Sequence, residues 1–146
     1  MNCKISLNYL FKSFVVALLK IFVVVLLAIT FMASPSYAFK QSDLDTLKST
    51  NKCPSCDLSA ITLPSANLSG AVLRDTNLTG ADLTQVNLTN ASLARANLSN
   101  ANLTGAKLEG AKLGLANLTG AKLDGASLTG ALFYETIMPD GSIRNE

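Results

Sequence analysis

The sequence contains no histidine and no tryptophan, and aromatic residues make up only 6% of its 146 residues. The absence of histidine excludes imidazole acid–base catalysis, the usual catalytic triads and histidine-ligated metal sites. No Gly-Lys-Ser/Thr sequence occurs either, which excludes a P-loop nucleotide site. The acidic residues are scattered and form no obvious catalytic pair. We therefore predict a protein that is not an enzyme and that holds no cofactor and no metal.

Charged residues are also scarce, at 15% of the chain. After position 38 the sequence has nine Lys and Arg against ten Asp and Glu, a net charge of −1. Binding to nucleic acid depends largely on basic side chains that neutralise phosphates. This near-neutral balance predicts no nucleic-acid partner.

Residues 1–38 are a different kind of sequence from the rest. Two lysines precede an apolar run over residues 14–33, and no acidic residue occurs before Asp43. Small residues stand at the positions that a signal peptidase requires for cleavage between Ala38 and Phe39. This layout is typical of a secretory signal peptide. An uncleaved membrane anchor is the alternative, because a run of about twenty apolar residues is long enough to cross a bilayer.

Leucine recurs at every fifth position from Leu58 to Leu128, and Phe133 takes the next position of the series. A period of five fits neither a helix, where the leucines would spiral around the axis, nor a flat strand, where they would alternate between faces. All of them can face one interior only if the chain turns a corner once per five residues. The period therefore predicts a solenoid with an apolar interior.

A second inward position lies two residues before each leucine, and alanine fills it without exception from Ala91 to Ala131. The residue after each leucine is mostly Ser or Thr, and the one after that is often Gly. Glycine and asparagine tolerate the positive φ that type II turns need. The pattern predicts a narrow core of alternating large and small side chains, with a tight turn at every corner.

Residues 116–120 (Ala-Asn-Leu-Thr-Gly) and 81–85 (Ala-Asp-Leu-Thr-Gln) resemble the unit of the pentapeptide-repeat family, A(D/N)LXX. The resemblance implies an all-β fold, a right-handed quadrilateral β-helix with four pentads per coil and about four coils. On this basis we assign residues 39–55 to an N-terminal capping segment, residues 56–135 to the β-helix and residues 136–146 to a C-terminal tail.

The capping segment is predicted to contain a short helix over residues 42–50. Ser42 is the expected N-cap, and acidic residues follow it in the first turn. Leu44 and Leu47 then share one face of the helix. We expect that face to cover the first coil.

The C-terminal end of the solenoid is expected to be closed by Phe133, Ile137 and Met138, followed by a turn at Pro-Asp-Gly, residues 139–141. Some members of the family dimerise through the last coil. The resemblance therefore implies a dimer contact at Phe133, unless the residues after it cover that side chain.

The sequence Cys53-Pro-Ser-Cys56 opens the repeat, and both cysteines fall on inward positions. Three interpretations stand: two small core residues, a structural disulfide favoured by export, or a redox pair of thioredoxin type. The redox interpretation lacks the βαβ context and the helix start that normally stabilise a reactive thiolate. Zinc is not expected, because no second pair completes four ligands.

With four pentads per coil, residues twenty apart lie on adjacent rungs. Asp75 and Arg95 are then expected to form an exposed ion pair, which is worth little stability. One outward column consists of a polar ladder, more structural than ligand-binding: Asp57, Asn77, Asn97 and Asn117.

Four apolar residues break the polar outer surface on one side: Val72, Leu115, Leu132 and Tyr134. Clustered exposed apolar side chains often mark an interface. We treat these residues as a candidate interaction patch for a protein partner, with contact to the C-terminal tail as the alternative.

The Cys-Pro-Ser-Cys entry followed by the long repeat resembles exported pentapeptide-repeat proteins of photosynthetic bacteria. That resemblance implies a periplasmic or thylakoid-lumen location and no enzyme activity. It sets this chain apart from strongly acidic cytoplasmic members thought to mimic duplex DNA against gyrase. The prediction is a non-catalytic scaffold or protein-interaction module outside the cytoplasm. The alternatives are a redox-linked role of the cysteine pair and a membrane-tethered accessory protein, the latter only if the N-terminal segment is uncleaved.

Overall fold

The computed structural model describes residues 39–146, so the predicted signal peptide or anchor and its cleavage position after Ala38 lie outside the described residues. Three regular elements occur in the described part: helix α1 (Gln41–Thr50) and strands β1 (Thr136–Ile137) and β2 (Ile143–Arg144). Over residues 39–146, no helix has both the length and the apolar character needed to cross a membrane.

The chain between α1 and β1 is held together by a ladder of parallel bridges. Each bridge joins a residue to the one twenty positions later, from Lys52–Val72 at one end to Asn117–Ile137 at the other. The chain thus returns to the same side after every four pentads. The ladder begins at Lys52, ahead of the boundary predicted at residue 56, so the first cysteine already belongs to it.

A tight turn follows every leucine of the repeat. The residue two positions after the leucine has positive φ, as at Gly80 with 65°. At every turn except the one after Leu73, the next N–H donates back to the leucine carbonyl, as from Ala81 to Leu78 at 3.1 Å. This is the turn geometry that the sequence predicted. Residues other than glycine also adopt it: Ser55, Ala60, Ser65, Asp75, Gln85, Asn90, Arg95, Asn100, Leu115 and Glu135. The hydrogen-bond ladder therefore imposes the corner even where the side chain disfavours it.

The inward leucines and alanines form one hydrophobic cluster. Every leucine of the repeat from Leu73 to Leu118 is at most 2% exposed. Leu44 and Leu47 of α1 belong to the same cluster, as expected for one face of the predicted helix. At the other end, Leu123 and Leu128 are only partly buried. The core is therefore fully enclosed in the middle of the ladder and less so at its last rung.

The start of α1 differs from the prediction. The N-cap is Lys40, which makes no capping bond with its side chain, and Ser42 lies inside the helix, so the assignment of Ser42 as N-cap is wrong. The Lys40 N–H donates to the Asp57 carbonyl at 3.1 Å. This bond fixes the incoming chain to the first rung, and the helix begins directly after it.

The C-terminal tail folds back over the last rung. Strands β1 and β2 pair antiparallel, and the predicted turn between them is closed by the Gly141 N–H, which donates to the Met138 carbonyl at 2.9 Å. The Arg144 guanidinium lies 4.1 Å from the centre of the Phe133 ring, and Phe133 is 6% exposed. The tail thus covers the side chain through which the family resemblance implied a dimer.

Candidate functional site

Three of the four predicted patch residues lie together at the C-terminal end of the ladder. The exposed fractions are 46% for Leu115, 56% for Leu132 and 60% for Tyr134. Leu132 and Tyr134 flank the inward Phe133 and therefore point outward. The Leu115 N–H donates to the Tyr134 carbonyl at 2.6 Å, which places these two residues on adjacent rungs. We call Leu115, Leu132 and Tyr134 the C-terminal patch.

Val72 is not part of this patch. It stands in the same column as Leu132, but Ser92 and Lys112 lie between them in the series of bridges. Three steps of the usual strand spacing separate the two residues by about 14 Å. Val72 lies on the same side of the solenoid as Leu132 but three rungs away from it. It is therefore not close enough to belong to the same patch.

The C-terminal tail leaves the patch open. The tail bonds to backbone groups on either side of Tyr134, where the Phe133 N–H donates to the Glu146 carbonyl at 2.9 Å and the Glu135 N–H donates to the Asn145 side chain at 2.8 Å. The Tyr134 side chain nevertheless stays exposed. Ile143 of β2 is itself 66% exposed. The structure therefore gives no support to tail contact as the reason for the apolar side chains of the patch.

Polar side chains on the outer surface form hydrogen bonds with residues two positions away in the chain. Asp82 accepts hydrogen bonds from the N–H and the hydroxyl of Thr84, at 3.1 and 2.6 Å, and Asn102 accepts the same pair from Thr104. The Thr84 hydroxyl bond lowers the pKa of the Asp82 carboxyl, the backbone bond from Thr84 adding to it. A carboxylate held ionised in this way is unsuited to general acid catalysis.

The same bonding explains the Asn/Asp-Leu-Ser/Thr spacing of the repeat, a signal that the sequence carried and that we did not interpret. Bonds from Ser59 and Ser142 likewise lower the pKa of Asp57 and Asp140. In the outward polar column, the Asn77 amide also donates to the Asp57 carboxylate at 3.0 Å. The carboxylates of Asp57 and Asp82 thus brace corners of the solenoid, and that of Asp140 braces the turn between β1 and β2.

Asp75 and Arg95 form the ion pair expected of residues twenty apart. The guanidinium donates two hydrogen bonds to the carboxylate, at 2.6 and 2.9 Å. The hydrogen bonds from Arg95 lower the pKa of Asp75, and the pKa of Arg95 is correspondingly raised. Because both side chains are exposed, the pair contributes little stability.

Cys53 and Cys56 form a disulfide in the structure, with their Cα atoms 5.4 Å apart. Cys53 is fully buried, and its sulfur lies 3.1 Å from the Asp43 carbonyl oxygen of α1, whereas Cys56 is half-buried. An attacking thiolate reaches Cys56 more readily and would expel the Cys53 sulfur as a thiolate into a buried site beside a carbonyl oxygen. A buried site beside a carbonyl oxygen is unfavourable for a thiolate, so the geometry disfavours exchange.

The sequence places Thr76 at an inward position, but the buried hydrogen bonds of Thr76 and Thr136 were not predicted from it. The Thr76 hydroxyl donates to the Cys53 carbonyl at 2.7 Å, and the Thr136 hydroxyl donates to the Leu113 carbonyl at 2.7 Å. Both threonines occupy the inward slot that alanine usually fills. Their signal was the replacement of alanine by a polar residue at a core position, which requires a buried hydrogen-bond partner. Over the described residues, 39–146, no three His, Cys, Asp or Glu side chains are grouped so as to hold a metal ion.

A family model for pentapeptide repeats matches residues 55–90, 81–120 and 111–144, in eight copies. Among solved structures, a pentapeptide repeat protein from the Arabidopsis thaliana thylakoid lumen is 30% identical, with a TM-score of 0.53 over 66% of this chain and 72% of that one. Rfr23 from the cyanobacterium Cyanothece is 26% identical, with a TM-score of 0.31 over 66% of this chain and 97% of its own. HetL, involved in heterocyst differentiation regulation in the cyanobacterium Nostoc, is 36% identical, with a TM-score of 0.27 over 64% and 53%. A comparison with curated proteins gives no match.

Proposed function

Because this chain belongs to the pentapeptide-repeat family, we propose that it is a non-catalytic module that docks a protein partner outside the cytoplasm through its C-terminal patch. Its fold is the right-handed β-helix solenoid of that family. We further assign it a quadrilateral cross-section and about four coils, with α1 as the cap of the first. Members of the family are generally structural or interaction modules without enzymatic activity, which supports the same proposal.

The observation that carries the proposal is the exposure of three large apolar side chains on an otherwise polar surface. Leu115 is doubly unfavourable, because it exposes 46% of its side chain and adopts a φ of 61° at a corner where glycine is frequent. The left-handed conformation costs a non-glycine residue about 1–2 kcal/mol. Nine other non-glycine corners share the positive φ, so the exposure of a large apolar side chain at such a corner is what distinguishes Leu115.

Export is the second part of the proposal. It rests on the sequence of residues 1–38, with cleavage between Ala38 and Phe39, and on the thylakoid-lumen origin of one structural relative. The Cys53–Cys56 disulfide fits an oxidising compartment such as the periplasm or the thylakoid lumen. The burial of Cys53 favours a structural role of this bond over a redox-linked role.

Site-specific photo-crosslinking in the organism that produces the protein tests the docking proposal. A photoreactive phenylalanine analogue replaces Tyr134 in the full chain, and a matched control carries it at Thr129, an exposed position on another side of the solenoid. We expect one discrete heterologous adduct from position 134 and none from position 129. No adduct from position 134, or the same adduct from both positions, would contradict the proposal.

A further inference from the structure

The first rung of the solenoid lacks a neighbour along two of its sides. Elsewhere each residue of the ladder forms a bridge with the residue twenty positions earlier, as Asp82 does with Thr62. One bond of that bridge runs from the Asp82 N–H to the Ile61 carbonyl at 2.7 Å. By the same spacing, residues 41–50 would lie beneath residues 61–70. Residues 41–50 form α1 instead. The edge from Thr62 to Asn67 is therefore an open β-edge, which we call the N-terminal edge.

The N-terminal edge presents backbone groups that no other part of the described chain satisfies. Within residues 39–146, neither the N–H groups of Thr62 and Asn67 nor the carbonyl groups of Thr62, Pro64 and Asn67 have a hydrogen-bond partner. These groups lie on two consecutive sides of the rung, before and after the corner at Ser65. Unpaired donors and acceptors at such an edge are a template for an added chain. On the adjoining side of the rung, an added segment of chain already forms such a bond, since the Lys40 N–H donates to the Asp57 carbonyl.

A cavity of about 310 Å³ opens beside this edge, between α1 and the first rung. One positively charged residue, Lys48, lines the cavity. The apolar residues of its wall are Leu44, Leu47, Leu63, Ala66 and Leu68. Leu63 and Ala66 are only partly buried, so the core is incompletely covered at this point. The volume accommodates an apolar side chain delivered by a strand bonded to the edge.

The occupant is a peptide rather than a second copy or the chain's own helix. A helix is about 10 Å across, twice the usual spacing between strands, so α1 prevents another solenoid from stacking directly on the edge. Leu44 and Leu47 are three residues apart and do not match the period of five that the missing rung requires. Lys48 is the only ionisable residue lining the cavity, so the charge of the cavity wall is positive, which favours an acidic partner.

We propose that the N-terminal edge is a β-augmentation site for a peptide segment of a partner protein that turns the same corner as the rung, between Thr62 and Asn67. The peptide backbone pairs with the groups of Thr62 and Asn67, one apolar side chain enters the cavity, and an acidic side chain pairs with Lys48. Backbone bonds then supply affinity, and the cavity and the cation supply specificity. The inference rests on the proposed function only in that the protein acts as a binding module. The two sites are separate, because the N-terminal edge and the C-terminal patch lie at opposite ends of the ladder.

Nuclear magnetic resonance of isotope-labelled protein, residues 39–146 with the disulfide intact, tests the site. The probes are synthetic ten-residue peptides with two pentads, carrying Leu, Val or Phe at the inward positions and Asp next to them. With at least one of these peptides we expect slower amide exchange at Thr62 and Asn67, by at least tenfold. The methyl signals of Leu63 and Ala66 should shift, and those of Leu132 at the C-terminal patch should not.

Charge reversal at Lys48 provides the matched comparison. Lys48→Glu should weaken the binding of the acidic peptide at least fivefold, whereas Lys52→Glu, an exposed lysine that does not line the cavity, should leave it unchanged. Ala66→Leu, which fills the cavity, should abolish binding. Three results overturn the proposal: no peptide of the panel binds at millimolar concentration, the shifts fall at Leu123 and Leu128 instead, or Thr62 and Asn67 are already protected by self-association. None of these results bears on the crosslink at position 134, so the two proposals fail separately.

Discussion

The N–H of Leu115 donates a 2.6 Å hydrogen bond to the carbonyl of Tyr134 on the next rung. Leu115 has positive φ at this corner, and its side chain is exposed on the rung next to that of Tyr134. Strain and exposure thus coincide at one residue of the C-terminal patch. If partner binding is the reason for that coincidence, stability and binding must respond in opposite directions when Leu115 is replaced.

Leu115→Gly should raise the free energy of unfolding by up to about 1 kcal/mol, because glycine adopts positive φ without strain. Seven corners already carry glycine at this slot with φ between 64° and 68°: Gly70, Gly80, Gly105, Gly110, Gly120, Gly125 and Gly130. Urea unfolding followed by circular dichroism measures the effect.

The reverse change at Gly125 is the matched control. An added Cβ there meets nothing within 4 Å, so strain of the backbone is the main consequence of a side chain. Gly125→Leu should therefore lower the free energy of unfolding by about 1 kcal/mol. Equal stability of both variants and the unmodified protein would mean that the ladder absorbs corner strain at no cost.

Thr76→Val should lower the free energy of unfolding by about 1–3 kcal/mol, because it leaves the buried Cys53 carbonyl without its 2.7 Å hydrogen bond while keeping the side-chain shape. Thr136→Val, which removes the equivalent bond to Leu113, should have a similar effect. Thr129→Val at an exposed position serves as the control and should stay within about 0.5 kcal/mol. A loss no larger than that of the control would show that the buried hydroxyl is dispensable.

The lowered pKa values of Asp57, Asp82 and Asp140 predict a loss of stability in acid. A carboxyl whose pKa is lower in the folded than in the unfolded state stabilises the fold above the unfolded value, near pH 4, and this contribution is lost as pH falls through the folded value. The melting temperature should therefore change little from pH 6 to 8 and should decline progressively below about pH 4.

Asn is the appropriate replacement for this test, because Asn102 already accepts from Thr104 the two hydrogen bonds that Asp82 accepts from Thr84. The triple variant with Asp57→Asn, Asp82→Asn and Asp140→Asn should show a shallower decline in acid than the unmodified protein. An identical decline would assign the acid sensitivity to other carboxyl groups.

Intact-mass spectrometry of protein from its native host tests export and the cysteine pair together. We expect the mass of Phe39–Glu146, lighter by two hydrogens than the dithiol form, with alkylation of Cys53 and Cys56 only after denaturation and reduction. A full-length mass with freely alkylated thiols would favour the membrane-tethered or redox-linked alternatives instead.

The repeat allowed the ladder to be predicted from sequence, because one register of leucine and alanine leaves the chain a single way to bury them all. The spacing of twenty from the family resemblance then placed Asp75 beside Arg95. The ends were harder to predict, since no repeat constrains them. The first turn of α1 is set by the bond from Lys40 to Asp57, between residues seventeen apart, and the sequence near Ser42 contains no sign of it.

The candidate patch was predicted only in part for a related reason. The repeat period gives the side of the solenoid on which a residue lies, but two residues form a patch only if their rungs are also close together. Val72 lies three rungs from Leu132. The open N-terminal edge could not be predicted at all. It arises because residues 41–50 form a helix where the ladder would need a strand. The leucine spacing of these residues does not show which backbone groups of the first rung the helix leaves unpaired.

The central claim, docking through the C-terminal patch, is tested most directly by measuring the affinity of the crosslinked partner for purified variants. The partner identified from position 134 is titrated against the unmodified protein, Leu115→Gly, Leu132→Ser and the control Thr129→Val. We expect at least tenfold weaker binding by Leu115→Gly, even though that variant should unfold at a higher urea concentration, and unchanged binding by the control. Unchanged affinity of both Leu115→Gly and Leu132→Ser would contradict the claim.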